Sequence, residues 1–188
     1  MARLLVTAAV ALATTCAILV STAFGGERAI TYIVPAAAGS DDGSSPRPTM
    51  PDMVFADGSG MPTHLRQFVG QVVVINFWAS ACGPCLQELL LLDRLQGNFR
   101  GQPLAVLAIS EDQSGIPAVK SFLNRQKYSY LRAFADPLSS MAQTLGVVDL
   151  PSSIILDRQN RVVLKVQGTY QWEAPLTIAR LRKLMSED

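Results

Sequence analysis

Cys82 and Cys85, in the run Trp78-Ala79-Ser80-Ala81-Cys82-Gly83-Pro84-Cys85, are the side chains of this 188-residue sequence whose type and spacing best suit chemistry. Two thiols so placed can form a disulfide and pass it to another molecule by thiol exchange. Ahead of them, Gln71 to Trp78 is a β-branched and aromatic run of the kind that fills a central strand covered on both faces. From Pro84 onward Leu86, Leu89, Leu90, Leu92 and Leu95 are interleaved with Gln87, Glu88, Asp93 and Arg94, which predicts an amphipathic helix ending near Gly97. Cys82 then falls at a helix N-terminus, where unpaired amide N–H groups and the positive end of the dipole favour its thiolate. It is the expected nucleophile. Cys85, on the same helical face, is the expected resolving thiol, attacking the mixed disulfide and releasing the partner.

Other uses of the pair are weaker. A structural zinc site takes about four ligands, yet the remaining Cys is Cys16 and the single His is His64. No metal is expected, although copper(I) held by two thiolates is chemically reasonable. The strand-turn-helix context favours thiol exchange. Cys16 sits in an apolar segment as a small hydrophobe, and His64 falls in a polar helical turn as a surface residue.

Composition bounds the rest. With 49% hydrophobic residues and a net charge of +1, the chain can hold one domain plus an extension. It has no basic run or stripe, which argues against a nucleic-acid partner. Leu4 to Phe24 carries no charge and as a helix would span about 30 Å, the thickness of a bilayer core. Residues 1–25 are therefore expected to be a signal-anchor. Ser21-Thr22-Ala23 offers the alternative of a cleaved secretory signal, and both readings place the domain outside the cytoplasm. Residues 26–51, rich in Gly, Ser and Pro, read as a flexible linker, with a reach of about 50 Å if its Pro35–Pro51 part is extended. Residues 52–188 remain for the folded domain.

Within that domain the Asp57-Gly58 turn predicts a hairpin over 52–62, followed by a helical turn at Thr63 to Phe68. After the first strand and helix, the pattern predicts strand Leu104–Ser110, helix Pro117–Gln126, a short strand at Leu131–Phe134 and a helix over Leu138–Leu145. Ser152–Leu156 and Arg161–Val166 form a second hairpin, and Glu173–Met185 a last helix. That order predicts an α/β domain with a central mixed sheet, helices on both faces and the early hairpin at one edge.

The run Trp78 to Cys85, the apolar strand before it, and Leu150-Pro151-Ser152 some 65 residues after the second Cys resemble the thioredoxin superfamily. The closer likeness is to its TlpA-like branch, membrane-tethered extracytoplasmic oxidoreductases of bacteria that include the ResA and DsbE proteins of cytochrome c maturation. It covers roughly residues 52–186 and implies a thioredoxin-like fold and a protein-disulfide oxidoreductase whose redox-active disulfide is Cys82–Cys85. No cofactor is implied. Pro151 would be a cis-proline facing the disulfide, leaving neighbouring backbone free to pair with an extended substrate. Glu88 matches an acidic residue that moves protons near the thiols, and Asn76 stands where cytoplasmic thioredoxins carry a buried Asp. Gly83 and Pro84 are the motif-shaping pair of reducing thioredoxins, whose potential of about −270 mV lies well below the −120 mV or so of the oxidant DsbA. The resemblance thus favours the reductase direction, in the periplasm at the bacterial inner membrane, with a membrane electron donor of the DsbD or CcdA type. Apocytochrome c or copper-site proteins of oxidase assembly would be the substrates. Ala81 departs from the family, which usually carries Trp there, so Cys82 should be more exposed. The alternatives are a thiol peroxidase of the redoxin type, which lacks the expected Thr at Ala79, and a copper(I)-binding assembly factor, which lacks a His after His64.

Overall fold

Seven strands and four helices position the cysteines in a computed structural model that describes residues 47–187. In chain order they are β1 (Val54–Ala56), β2 (Pro62–His64), β3 (Val72–Trp78), α1 (Gly83–Asn98), β4 (Leu104–Ser110), α2 (Gly115–Gln126), β5 (Phe134–Ala135), α3 (Ser140–Thr144), β6 (Ser152–Leu156), β7 (Val162–Gln167) and α4 (Pro175–Ser186), with a 3-10 turn at Leu65–Phe68. The sheet order is β2-β1-β5-β4-β3-β6-β7. β3, β4 and β5 run parallel, while β6 and β7 continue antiparallel on one side and β1 and β2 on the other. This is the predicted mixed sheet, with the early hairpin at its edge.

β3 is apolar along its length because it is central and covered twice. Successive side chains point to opposite faces. Val72, Val74 and Trp78 join Leu89, Leu92, Val119, Phe122, Leu181 and Leu184 in a core under α1, α2 and α4. Val73, Ile75 and Phe77 pack instead against Phe55, Leu65, Phe68, Phe134, Met141 and Leu145, beneath α3 and the N-terminal hairpin. Asn76 shares the α1 face with its even-numbered neighbours and is fully buried there.

Several boundaries move for local reasons. The strand expected at Leu131–Phe134 is shortened and displaced to Phe134–Ala135, because the backbone N–H groups of Ser129, Tyr130 and Leu131 donate to the Asp93 carboxylate on α1 instead of to a strand. α3 shrinks to Ser140–Thr144 because the buried Asp136 takes N–H bonds from Ser140, Met141 and Ala142, starting the helix late. α4 begins at Pro175, whose fixed φ suits a first helical position, and Glu173 is left outside to pair with Arg94 at 2.7 Å. His64 ends β2, with Nδ1 2.8 Å from Asp52 Oδ2, away from the cysteines.

The packed chain also begins before Asp52. Met50 is buried, Thr49 bridges to Arg161, and the Met50 N–H donates to Asn160 O at 2.8 Å. Arg47 reaches both Asp157 (3.2 Å) and Glu187 (2.8 Å). Composition alone assigns 47–51 to the linker because Pro and polar residues dominate it, whereas these long-range contacts hold it. The expected anchor and most of the linker lie outside the described residues. Among those described, no helix is long and apolar enough to cross a membrane.

Candidate active site

Cys82 and Cys85 are joined in a disulfide, their Cα atoms 5.3 Å apart. The sequence places them as expected: β3 ends at Trp78, the chain turns with Cys82 N–H donating to Ala79 O (3.1 Å), and Cys82 becomes the N-cap of α1. Its Sγ accepts the Cys85 N–H at 3.2 Å. Free N–H groups at a helix start need acceptors, and here a sulfur serves as one. Cys82 is half-buried beside the exposed Ala81 and Gly83, whereas Cys85 is fully buried. The outer sulfur is therefore the accessible one.

A carboxylate the sequence did not single out fixes the turn. Asp112, just past β4, accepts from Ser80 N–H (3.0 Å) and from the hydroxyls of Ser80 (3.2 Å) and Ser110 (3.0 Å). Its place two residues beyond a strand gave no signal, because the contact spans 32 residues.

Pro151 follows a cis Leu150–Pro151 bond and is buried. Ser152, the next residue, pairs with Phe77 near the end of β3, so the register brings Pro151 to the end of the sheet that carries Cys82. Leu150 packs with Cys82 and Cys85 in one apolar cluster. Gly168 donates its N–H to Pro151 O at 2.8 Å, tying this loop to β7.

Glu88 lies one helical turn beyond Cys85 and is only 2% exposed. An ordinary helix Glu would be solvated; this one receives the indole Nε1–H of Trp172 (2.7 Å) and the Tyr170 N–H (2.8 Å) on Oε1, and Asn76 Nδ2–H (2.9 Å) on Oε2. Burial pushes its carboxyl above the usual range, against the opposing pull of the donors from Tyr170, Trp172 and Asn76. Asn76 also donates to Ser153 Oγ (2.9 Å) from β6, while its own Oδ1 is buried without a partner. Sequence reasoning found Glu88 and Asn76 separately. It missed their bond, and it missed Tyr170 and Trp172, which lie more than 80 positions from Glu88 and carry no local motif.

A second raised carboxyl stands at the same end of the sheet. Glu111 donates its N–H to Trp78 O at 2.8 Å, and burial, with the Asp136 charge adding and a Ser139 hydrogen bond opposing, pushes it up to about 7. Among the described residues no group of three or more His, Cys, Asp or Glu side chains converges as a metal site would.

Comparison with known proteins agrees with this geometry. Residues 46–181 match the redoxin family pattern. Over 118 residues the chain is 29% identical to the thiol-disulfide oxidoreductase ResA of Bacillus thuringiensis subsp. konkukian, covering 63% of this chain and 67% of that protein. Over 122 residues it is 30% identical to ResA of Bacillus subtilis, covering 63% and 65% respectively. Among solved structures, a thiol:disulfide interchange protein of the thioredoxin family from Chlorobium tepidum superposes with a TM-score of 0.61 at 18% identity, covering 76% of this chain and 99% of that one. The exposed lipoprotein thioredoxin Etrx1 of Streptococcus pneumoniae superposes with a TM-score of 0.58 at 23% identity, covering 71% and 98%. At these identities the structural matches establish the fold.

Proposed function

The chain belongs to the redoxin family, as a TlpA-like protein-disulfide oxidoreductase of the thioredoxin superfamily, and from that premise we propose that it reduces disulfides of selected partner proteins outside the cytoplasm. The observation that carries this reading is the Cys82–Cys85 disulfide at the start of α1, with its accessible sulfur beside the cis-Pro151 loop.

In the reduced protein the Cys82 thiolate, held by the Cys85 N–H that its sulfur now caps, attacks one sulfur of the partner disulfide. The other sulfur leaves as a thiolate and takes up a proton. Cys85 then loses its proton and attacks Cys82 Sγ, breaking the mixed disulfide. The partner departs with two thiols and the disulfide seen here is regenerated. Because Cys85 is fully buried, its proton needs an internal acceptor. An ionised carboxylate offers about four acceptor positions, and Glu88 has three filled, two on Oε1 and one on Oε2. The position left on Oε2 makes Glu88 the group proposed to carry that proton. Pro151 removes a backbone donor at the edge where an extended substrate would lie.

Gly83-Pro84 supports the reductase direction. Two electrons must then be resupplied, and a membrane donor of the DsbD or CcdA type is proposed. The uncharged stretch Leu4–Phe24 supports a tether holding the domain at the periplasmic face of the inner membrane. Apocytochrome c and copper-site proteins are the proposed substrates.

The test is Cys85→Ser in the full-length chain, expressed in its own host, with mass spectrometry of whatever stays disulfide-linked to Cys82. An apocytochrome or a copper-centre protein is the expected catch, and Cys82→Ser should abolish it. An empty trap around a demonstrably reactive Cys82 would overturn the reading.

A further inference from the structure

The loop that delivers Pro151 and the carboxyl end of β4 border an open cleft of about 180 Å³, lined among others by Glu111, Ala142, Val147 and Leu150. Its size decides what could enter. A cavity of about 150 Å³ takes one benzene-sized group, whereas pockets for free small ligands run to about 300 Å³ or more. One side chain of a larger molecule fits.

The surroundings point to a polypeptide. Val148, on the cleft, is 75% exposed, and Leu138, next to Ser139 of the lining, is 82% exposed. Apolar side chains at a cleft's rim favour contact with another protein surface. The cleft also adjoins the proposed docking edge: Leu150 belongs both to its wall and to the cluster holding the cysteines, and Glu111 is bonded to the end of the strand that leads to Cys82.

Glu111 defines the chemistry. Glu111 Oε1 is shut off from water without a hydrogen-bond partner, so its charge is poorly solvated. Asp136 adds negative potential nearby but cannot turn to a ligand, because its oxygens already hold Ser140, Met141 and Ala142. Asp149 on the Pro151 loop contributes a further exposed carboxylate. Apolar side chains lining a cleft beside these carboxyl groups suit a long aliphatic stem ending in a cation. The raised proton affinity of Glu111 fits an empty cleft, since an arriving cation would replace the proton.

We propose that Glu111 and its cleft form a specificity subsite for a Lys or Arg side chain of the substrate polypeptide, close in space to the cysteine that Cys82 attacks. This rests on the reading of Cys82 and Pro151 as the docking site.

The test uses full-length reduced protein and peptides that each carry one Cys capped as a mixed disulfide with 2-nitro-5-thiobenzoate, whose release is followed by absorbance. Attack by Cys82 on the peptide sulfur expels the nitrothiobenzoate thiolate, and Cys85 then frees the peptide thiol. Lys is walked through the positions flanking the Cys and compared at each with uncharged norleucine. At one position Lys should lower KM about tenfold, the effect of one favourable contact of this kind. Glu111→Gln should bring the two peptides to parity, while Glu111→Asp, which keeps the charge, should retain part of the preference. Equal KM values for Lys and norleucine at every position, or a Lys preference that survives Glu111→Gln, would overturn the subsite. If no peptide reacts while a small disulfide does, the docking reading falls and the subsite with it.

Discussion

Glu88 is a buried carboxylate under two opposed demands. Three donors hold it in its ionised, accepting form, while burial favours its proton. Replacing it with Leu would strand the Trp172 indole N–H, the Tyr170 amide and one Asn76 donor. We expect Glu88→Leu to cost about 3 kcal/mol in denaturant unfolding, and a cost near zero would show that these bonds matter little. Glu111 gives a sharper pH signature. Its folded value of about 7 lies above the ordinary Glu value of 4.5, so the folded chain binds this proton more tightly than the unfolded one. The stability this confers is complete below the unfolded value and is lost as pH rises through the folded value. Between about pH 4.5 and 7 the melting temperature should therefore fall, through Glu111 and in the same direction through Glu88. Glu111→Gln should flatten that slope, and an unchanged slope would mean Glu111 titrates normally.

Among the elements, those bounded by local chemistry were legible in the sequence. β4 and β6 begin and end where expected because each is an apolar run stopped by polar residues or Pro, and α1 follows its leucine spacing. The shortened β5 and α3 were not legible, since distant or buried carboxylates, Asp93 and Asp136, claim the backbone donors that would have lengthened them. The site divides the same way. The cysteine pair and Pro151 were readable from local motifs, while the Glu88 clamp depends on Trp172, brought near by α4 and the loop before it. Asp93 offers a direct check on such long-range anchoring. Its carboxylate is 7% exposed and holds three consecutive amides from 129 to 131. Asp93→Ala should cost about 2 kcal/mol and speed amide hydrogen exchange at those residues. Unchanged exchange would show that the loop is held by its packing.

Over the whole molecule, the sheet has one weak flank. β5 meets β4 only at Ile109 and Ser110, leaving the first half of β4 without a strand neighbour on that side. Gln96 from α1 partly fills the gap: its Oε1 accepts the Val106 N–H at 2.7 Å, and its Nε2 lies 3.4 Å from Leu104 O. The side-chain amide thus occupies the place of a strand residue opposite Ala105. Arg132, stacked 5.2 Å from the Phe134 ring, adds a charge beside the opening, a common guard of unpaired edges. We expect Gln96→Leu to cost about 1 kcal/mol and to promote concentration-dependent association in sedimentation velocity. A variant that stays monomeric at every concentration would show that the edge needs no such guard.

The contacts of Arg47 have a practical consequence. By bonding both Asp157 and Glu187, Arg47 brings the first described residue to within a side chain's length of the end of α4. Asp157 follows β6 at the pole where β3 starts, while the disulfide follows the end of β3, about 20 Å away along the strand. Arg47 and Glu187 therefore both stand at the same rear pole. A reporter or immobilising handle attached at either of these residues would stand behind the molecule, with the redox pole turned outward.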